Sequence, residues 1–183
     1  MPLPLAYRVY GHTGPSVLIL HGLFGQADNW TRIAKTISEQ GFTVFTMDLR
    51  NHGLSPQADD CSYEAMADDV RFFIEQQSLT KPLCIGHSMG GKVLLFMDYL
   101  FRDIVSALLI VDIAPKYYAP HHQHIFNALT AIDFTAVTTR KAAEATLEHY
   151  IKESEIRQFL LKNLFNSLKL ILPIFSILIE SVF

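Results

Sequence analysis

The sequence predicts an α/β fold, a mostly parallel sheet flanked by helices, and three observations carry that expectation. Short apolar runs rich in β-branched residues recur along the first two thirds of the chain, each closed by turn residues. Amphipathic stretches of helical period separate the first three runs, as crossovers between parallel strands require. With 183 residues, half of them apolar, the chain can bury a substantial core, and a disordered reading is excluded.

The expected strands are "SVLILHG", "FTVFTMD", "PLCIGHS" and "VSALLIVD". Between the first two, Asp28 is placed to cap a helix whose Trp30, Ile33, Ala34 and Ile37 form one face, with Gly41 ending it. Between the next two, Ser62 caps a helix whose stripe is Tyr63, Met66, Ala67, Val70 and Ile74. After the fourth strand the texture changes to charged, helix-periodic sequence without a convincing strand. The expected division is a core over 1–115, a helical cap over 116–163 and an atypical apolar tail over 164–183.

The net charge of −3, with no Lys/Arg block, gives no field for nucleic acid. The N-terminus lacks the basic and apolar regions of a signal peptide, which predicts a cytoplasmic protein. Cys61 and Cys84 fall in unlike contexts and suggest free thiols, and no metal spacing is present. The cluster "HHQH" at 121–124 lacks accompanying carboxylates or cysteines and suggests a polar surface. No metal and no organic cofactor is expected.

The chemistry concentrates in "GHSMG", residues 86–90, which fits G-x-S-x-G between an expected strand and an expected helix. Gly86 and Gly90 leave room for a sharp turn that lifts Ser88 above the sheet edge, and a chance pattern on a surface loop is the bland alternative. "LHGLFG", residues 20–25, ends a strand expected beside the one carrying Ser88. Paired with the serine turn, it predicts an oxyanion hole from the backbone amides of Leu23 and Met89; alone it would be a strand-ending turn. Asp112, in "VDIAP", sits at the carboxyl end of the fourth strand. A buried carboxylate there would orient a histidine, and a turn or helix-capping aspartate is an equal reading.

Together "HGLFGQADNW", "DLRNHGLSP", "YEAMADDV", "GHSMGGKV" and "VDIAPKYY" resemble the α/β-hydrolase superfamily, and within it the YbfF-type bacterial esterases, with mitochondrial ABHD-type relatives further off. The likeness runs from about Leu18 to about Leu164. It implies a serine ester hydrolase with a helical cap, a nucleophile at Ser88 and an acid at Asp112. It also implies that Arg50 and Asn51 of "RNHG" fix a loop, and that Tyr117, Tyr118, Ile125 and Phe126 of the cap line an acyl pocket or pack its core.

Such a site needs a histidine late in the chain. None of His12, His21, His52, His87, His121, His122, His124 and His149 fits: His21 belongs to the oxyanion loop, His52 to a loop off the wrong strand, and His87 should point away from Ser88. The tail "FNSLKLILPIFSILIESVF" has no Gly, Asp or His and too short an apolar run to span a bilayer. The expectation is a frameshift or premature stop replacing the true C-terminal third, with the last part of the sheet missing. Two functions are carried forward: hydrolysis of short- to medium-chain acyl esters or thioesters through an acyl-enzyme, and an impaired or acyl-binding pseudoenzyme without its base.

Overall fold

The computed structural model describes residues 1–116, 123–133 and 135–164. The tail from 165 onward, Tyr117, Tyr118, His121 and His122 lie outside the described residues. The chain divides into two compact units, Met1–Lys116 and Tyr117–Phe183.

The first unit is a five-stranded sheet in the order β1-β3-β2-β4-β5, formed by Tyr7–Tyr10, Ser16–Leu20, Thr43–Met47, Leu83–His87 and Ala107–Val111. Strands β2 to β5 are the four expected runs and lie parallel, while β1 pairs antiparallel with β3, Tyr7 opposite Met47 and Tyr10 opposite Val44. Sequence reading did not give β1. It is a four-residue edge strand, and its only signal is the alternation in Tyr-Arg-Val-Tyr.

Helices cover both faces, so the inner strands are buried and mostly apolar, with Thr46 of β3 buried among them. Helix α1, Thr31–Ser38, lays Ala34 against Val17, Ile19, Val44 and Ile85, with Trp30 and Ile37 at the margin. Helix α2, Tyr63–Gln76, packs the opposite face, where Phe73 meets Tyr7 and Phe45 with ring centroids 4.9 and 5.7 Å apart. Helix α3, Met89–Leu100, follows β4 and buries Val93, Leu94 and Met97.

The two expected caps fare differently. Ser62 Oγ accepts from the Ala65 amide at 3.2 Å and starts α2 as expected. Asp28 does not cap α1. It lies inside a 3-10 turn, Ala27–Trp30, closed by Gln26 and Asn29, and its carboxylate pairs with Arg8 at 3.3 Å. Of the expected face, Ala34, Trp30 and Ile37 pack inward, whereas Ile33 is 47% exposed.

The described residues of the second unit form α4 (Gln123–Thr130), α5 (Arg140–Glu148) and α6 (Ser154–Leu164). Thr139 Oγ1 caps α5 through the Ala142 amide, and Leu147, Ile151, Leu160 and Leu161 are buried. Ile125 and Phe126 are buried as well.

Candidate active site

Parallel strands bring their carboxyl ends to one edge of a sheet, and the register decides which residues meet there. Leu20 stands opposite Gly86, and His87 opposite Val111, so the loop starting at His21, the turn at Ser88 and Asp112 emerge side by side. The Ser88 amide donates to the Val111 carbonyl at 2.9 Å, which ties the turn to the end of β5.

Ser88 has φ 50° and ψ −114°, a conformation that L-residues adopt at a cost of roughly 1–3 kcal/mol. It sits between β4 and α3, and its carbonyl already accepts from Gly91 and Lys92 in the first turn of the helix. The two glycines are dictated by clearance. A Cβ on Gly86 would meet the Gly90 carbonyl oxygen at 2.5 Å, and one on Gly90 would meet the carbonyl oxygens of Leu20 and His21 at 2.7 Å. Gly22 is equally close: a Cβ there would lie 3.2 Å from Ser88 Cβ and 2.8 Å from His87 Nδ1.

The amides of Leu23 and Met89 make no hydrogen bond among the described residues. Met89 opens α3, whose first amides have no partner within the helix. Leu23 lies in a tight turn in which the Gly25 amide donates to the Gly22 carbonyl at 2.9 Å. Two donors on separate elements thus flank the serine turn.

Asp112 is at the site but not as expected. Its side chain is 84% exposed rather than buried, and His87 lies next to it, with Nε2 at 3.7 Å from Oδ2. The cause lies in the sheet: β5 pairs with β4 alone among the described strands, so the residue following it faces solvent. The residue has φ 57°, which also fits the turn aspartate weighed above. His87 does not simply point away. Its ring packs beside the Gly22 backbone and 6.2 Å from the Trp30 ring, though no described histidine is hydrogen-bonded to Ser88 Oγ.

Beneath these groups runs a buried polar layer. Arg50 forms a two-pronged pair with Asp69, both contacts 2.7 Å, and also donates to the carbonyls of Asp60 and Ala65. Burial works against its charge, and the hydrogen bonds and charge of Asp69 turn the net shift of its pKa upward. Asn51 exchanges hydrogen bonds with the backbone of Ala58. Asp48, at the end of β3, accepts from the amides of Ala27 (2.6 Å) and Leu54 (3.0 Å) and so joins two loops.

His21 and His52 are buried with ring centroids 4.9 Å apart. Burial, helped by the proximity of His52 and His87, pushes His21 down to about 3, and burial lowers His52 too. Both are neutral at physiological pH. Asp48, Asp69 and the hydrogen bonds of His21 escaped sequence reading. A carboxylate beside the apolar stripe of α2, at Asp69, was the one available signal.

Cys61 and Cys84 are free and buried, and burial raises both thiols, Cys84 to about 12. Among the described residues no cluster of His, Cys, Asp and Glu could hold a metal ion, and no helix is long and apolar enough to cross a membrane. His124 of the "HHQH" cluster is exposed.

A family model described as alpha/beta hydrolase fold matches residues 15–148. The chain belongs to that family. It is 39% identical over 172 residues to the mouse (Mus musculus) protein named sn-1-specific diacylglycerol lipase ABHD11, covering 89% of this chain and 56% of the relative. It is 36% identical over 153 residues to esterase YbfF of Escherichia coli, covering 83% and 60%. A solved structure titled marine microorganism esterase superposes with a TM-score of 0.84 at 43% identity, covering 87% of this chain and 63% of that one. The chain therefore spans less than two thirds of each of these proteins.

Proposed function

We propose that this chain carries the nucleophile and oxyanion hole of a serine hydrolase acting on short- to medium-chain carboxylic esters or thioesters. The strained turn at Ser88, between β4 and α3, is the observation that supports this best. The amides of Leu23 and Met89 make no hydrogen bond among the described residues and so are available as donors, and the named relatives are esterases and lipases.

Ser88 Oγ attacks the acyl carbonyl carbon, and its proton passes to a histidine supplied from outside this sequence. Asp112 orients that imidazole and stabilises it once charged. The carbonyl oxygen takes up negative charge and is held by the amides of Leu23 and Met89. Collapse expels the alcohol or thiol, which leaves with the proton. Water then attacks the acyl-serine by the reverse sequence and releases the acid. The substrate is a small acyl ester; no cofactor enters the scheme.

A second reading is a hydrolase that binds acyl ligands with little turnover. Two observations favour it: no described histidine bonds Ser88, and the Asp112 carboxylate is solvent-exposed. Hydrolysis of p-nitrophenyl butyrate separates the two. With the histidine-bearing part of the protein present, the enzyme reading expects turnover that Ser88→Ala lowers by about 10⁴-fold or more; a folded protein whose slow turnover is the same with and without Ser88 leaves the second reading standing.

A further inference from the structure

The Gly22–Leu23 peptide is trans and planar, so its carbonyl and its N–H point in opposite directions along one rigid unit. Whatever holds the Gly22 oxygen therefore aims the Leu23 amide. His21 Nδ1 lies 2.8 Å from that oxygen, and the Gly25 amide reaches it at 2.9 Å. The imidazole's other nitrogen settles which hydrogen it carries. The Leu49 amide donates to Nε2 at 3.0 Å, so Nε2 is the acceptor and Nδ1 bears the proton donated to Gly22. His21 is buried, and Leu49 follows β3, so the ring is clamped from the neighbouring strand.

We infer that His21 is a positioning residue for the oxyanion hole: locked as its Nδ1–H tautomer by the Leu49 amide, it grips the Gly22 carbonyl and turns the Leu23 N–H toward the oxygen of a tetrahedral adduct on Ser88. This rests on the reading of Ser88 as nucleophile. Shape alone does not require a histidine here, because the Gly25 bond already closes the turn; what His21 adds is a link from the turn to β3.

The test uses n-butylboronic acid, whose boron forms a bond to Ser88 Oγ and places a hydroxyl in the oxyanion position. Affinity is measured for the unchanged protein, Ser88→Ala, His21→Ala, His21→Asn and His21→Gln, with folding checked by circular dichroism. Asn sets its amide nitrogen where Nδ1 was, and Gln sets its own nearer Nε2. The inference expects Asn to retain most of the affinity, and Ala and Gln to weaken it by about 100-fold. Equal affinity across the folded variants, or rescue by Gln and not Asn, overturns it. An unchanged protein that binds no better than Ser88→Ala removes the nucleophile reading and the inference with it. Should the variants fail to fold, ¹⁵N NMR of the unchanged protein decides: a proton on Nδ1 and none on Nε2 at pH 7 is expected, and the opposite tautomer overturns the inference.

Discussion

Strain at Ser88 is tolerated because Gly86 and Gly90, two positions to either side, have no side chains to clash in the sharp turn. A Cβ on Gly90 would run into the carbonyl oxygens of Leu20 and His21, and neither is a flexible group that can swing away. Gly90→Ala is therefore expected to cost about 1–3 kcal/mol of stability and to displace the serine turn. Gly41 gives the contrast. It has φ +86° with open space around it, so Gly41→Ala costs only the left-handed strain, about 1 kcal/mol. Urea denaturation measures both, and an equal or larger loss at Gly41 contradicts the clearance explanation. The serine and its glycines were readable from sequence because their pattern spans only five residues, even though the clearance of Gly90 is set by Leu20 and His21 at the end of β2. The tautomer of His21 was not, because its lock is an amide 28 positions away.

Among the elements, what the sequence showed and what it hid divide in the same way. Ser62 was readable as a cap because the cap and the amide that donates to it lie three residues apart, and it starts the helix whose inner face carries Asp69. Ser62→Ala is expected to lower stability by about 1 kcal/mol in a thermal melt, with Ser62→Asp close to the original. No change on Ser62→Ala contradicts the cap. Asp28 misled because Gln26 and Asn29 compete for the same turn and win it, leaving the aspartate to Arg8. Strands β2 to β4 were visible as apolar runs because helices bury both faces, and β5 shows the same apolar run although Leu109 is 52% exposed. The edge strand β1, half-covered and four residues long, offers too little pattern to stand out.

Taken as one body, the first unit hides more charge and imidazole than its apolar composition suggests. The Arg50–Asp69 pair is almost fully buried, 3% and 0% exposed, and joins the β3 loop to α2. Removing one partner strands the other charge, a loss of about 3–5 kcal/mol for Asp69→Ala. The buried histidines give stability a pH dependence whose sign follows from where the protons sit. Unfolded imidazole protonates near 6.5, whereas folded His21 does so only near 3, so the unfolded chain binds more protons between these values. Stability is whole above about pH 6.5 and falls as pH drops toward 3. His21 alone contributes about 1.4 kcal/mol per pH unit in that window, and His52 acts in the same direction. Urea midpoints at pH 7.5 and 5 should show a loss that His21→Asn reduces; a flat profile contradicts neutral burial. The meeting of β2, β4 and β5 at one edge was foreseeable from sequence, but the solvent exposure of Asp112 was not, since it depends on what pairs with β5. The reading of Ser88 as an activated nucleophile is tested most directly by incubating the protein with a fluorophosphonate and mapping the adduct by mass spectrometry. A single phosphonyl group on the peptide bearing Ser88, absent after denaturation and in Ser88→Ala, is the expected result; a folded protein left unlabelled, or labelled equally on other serines, would contradict it.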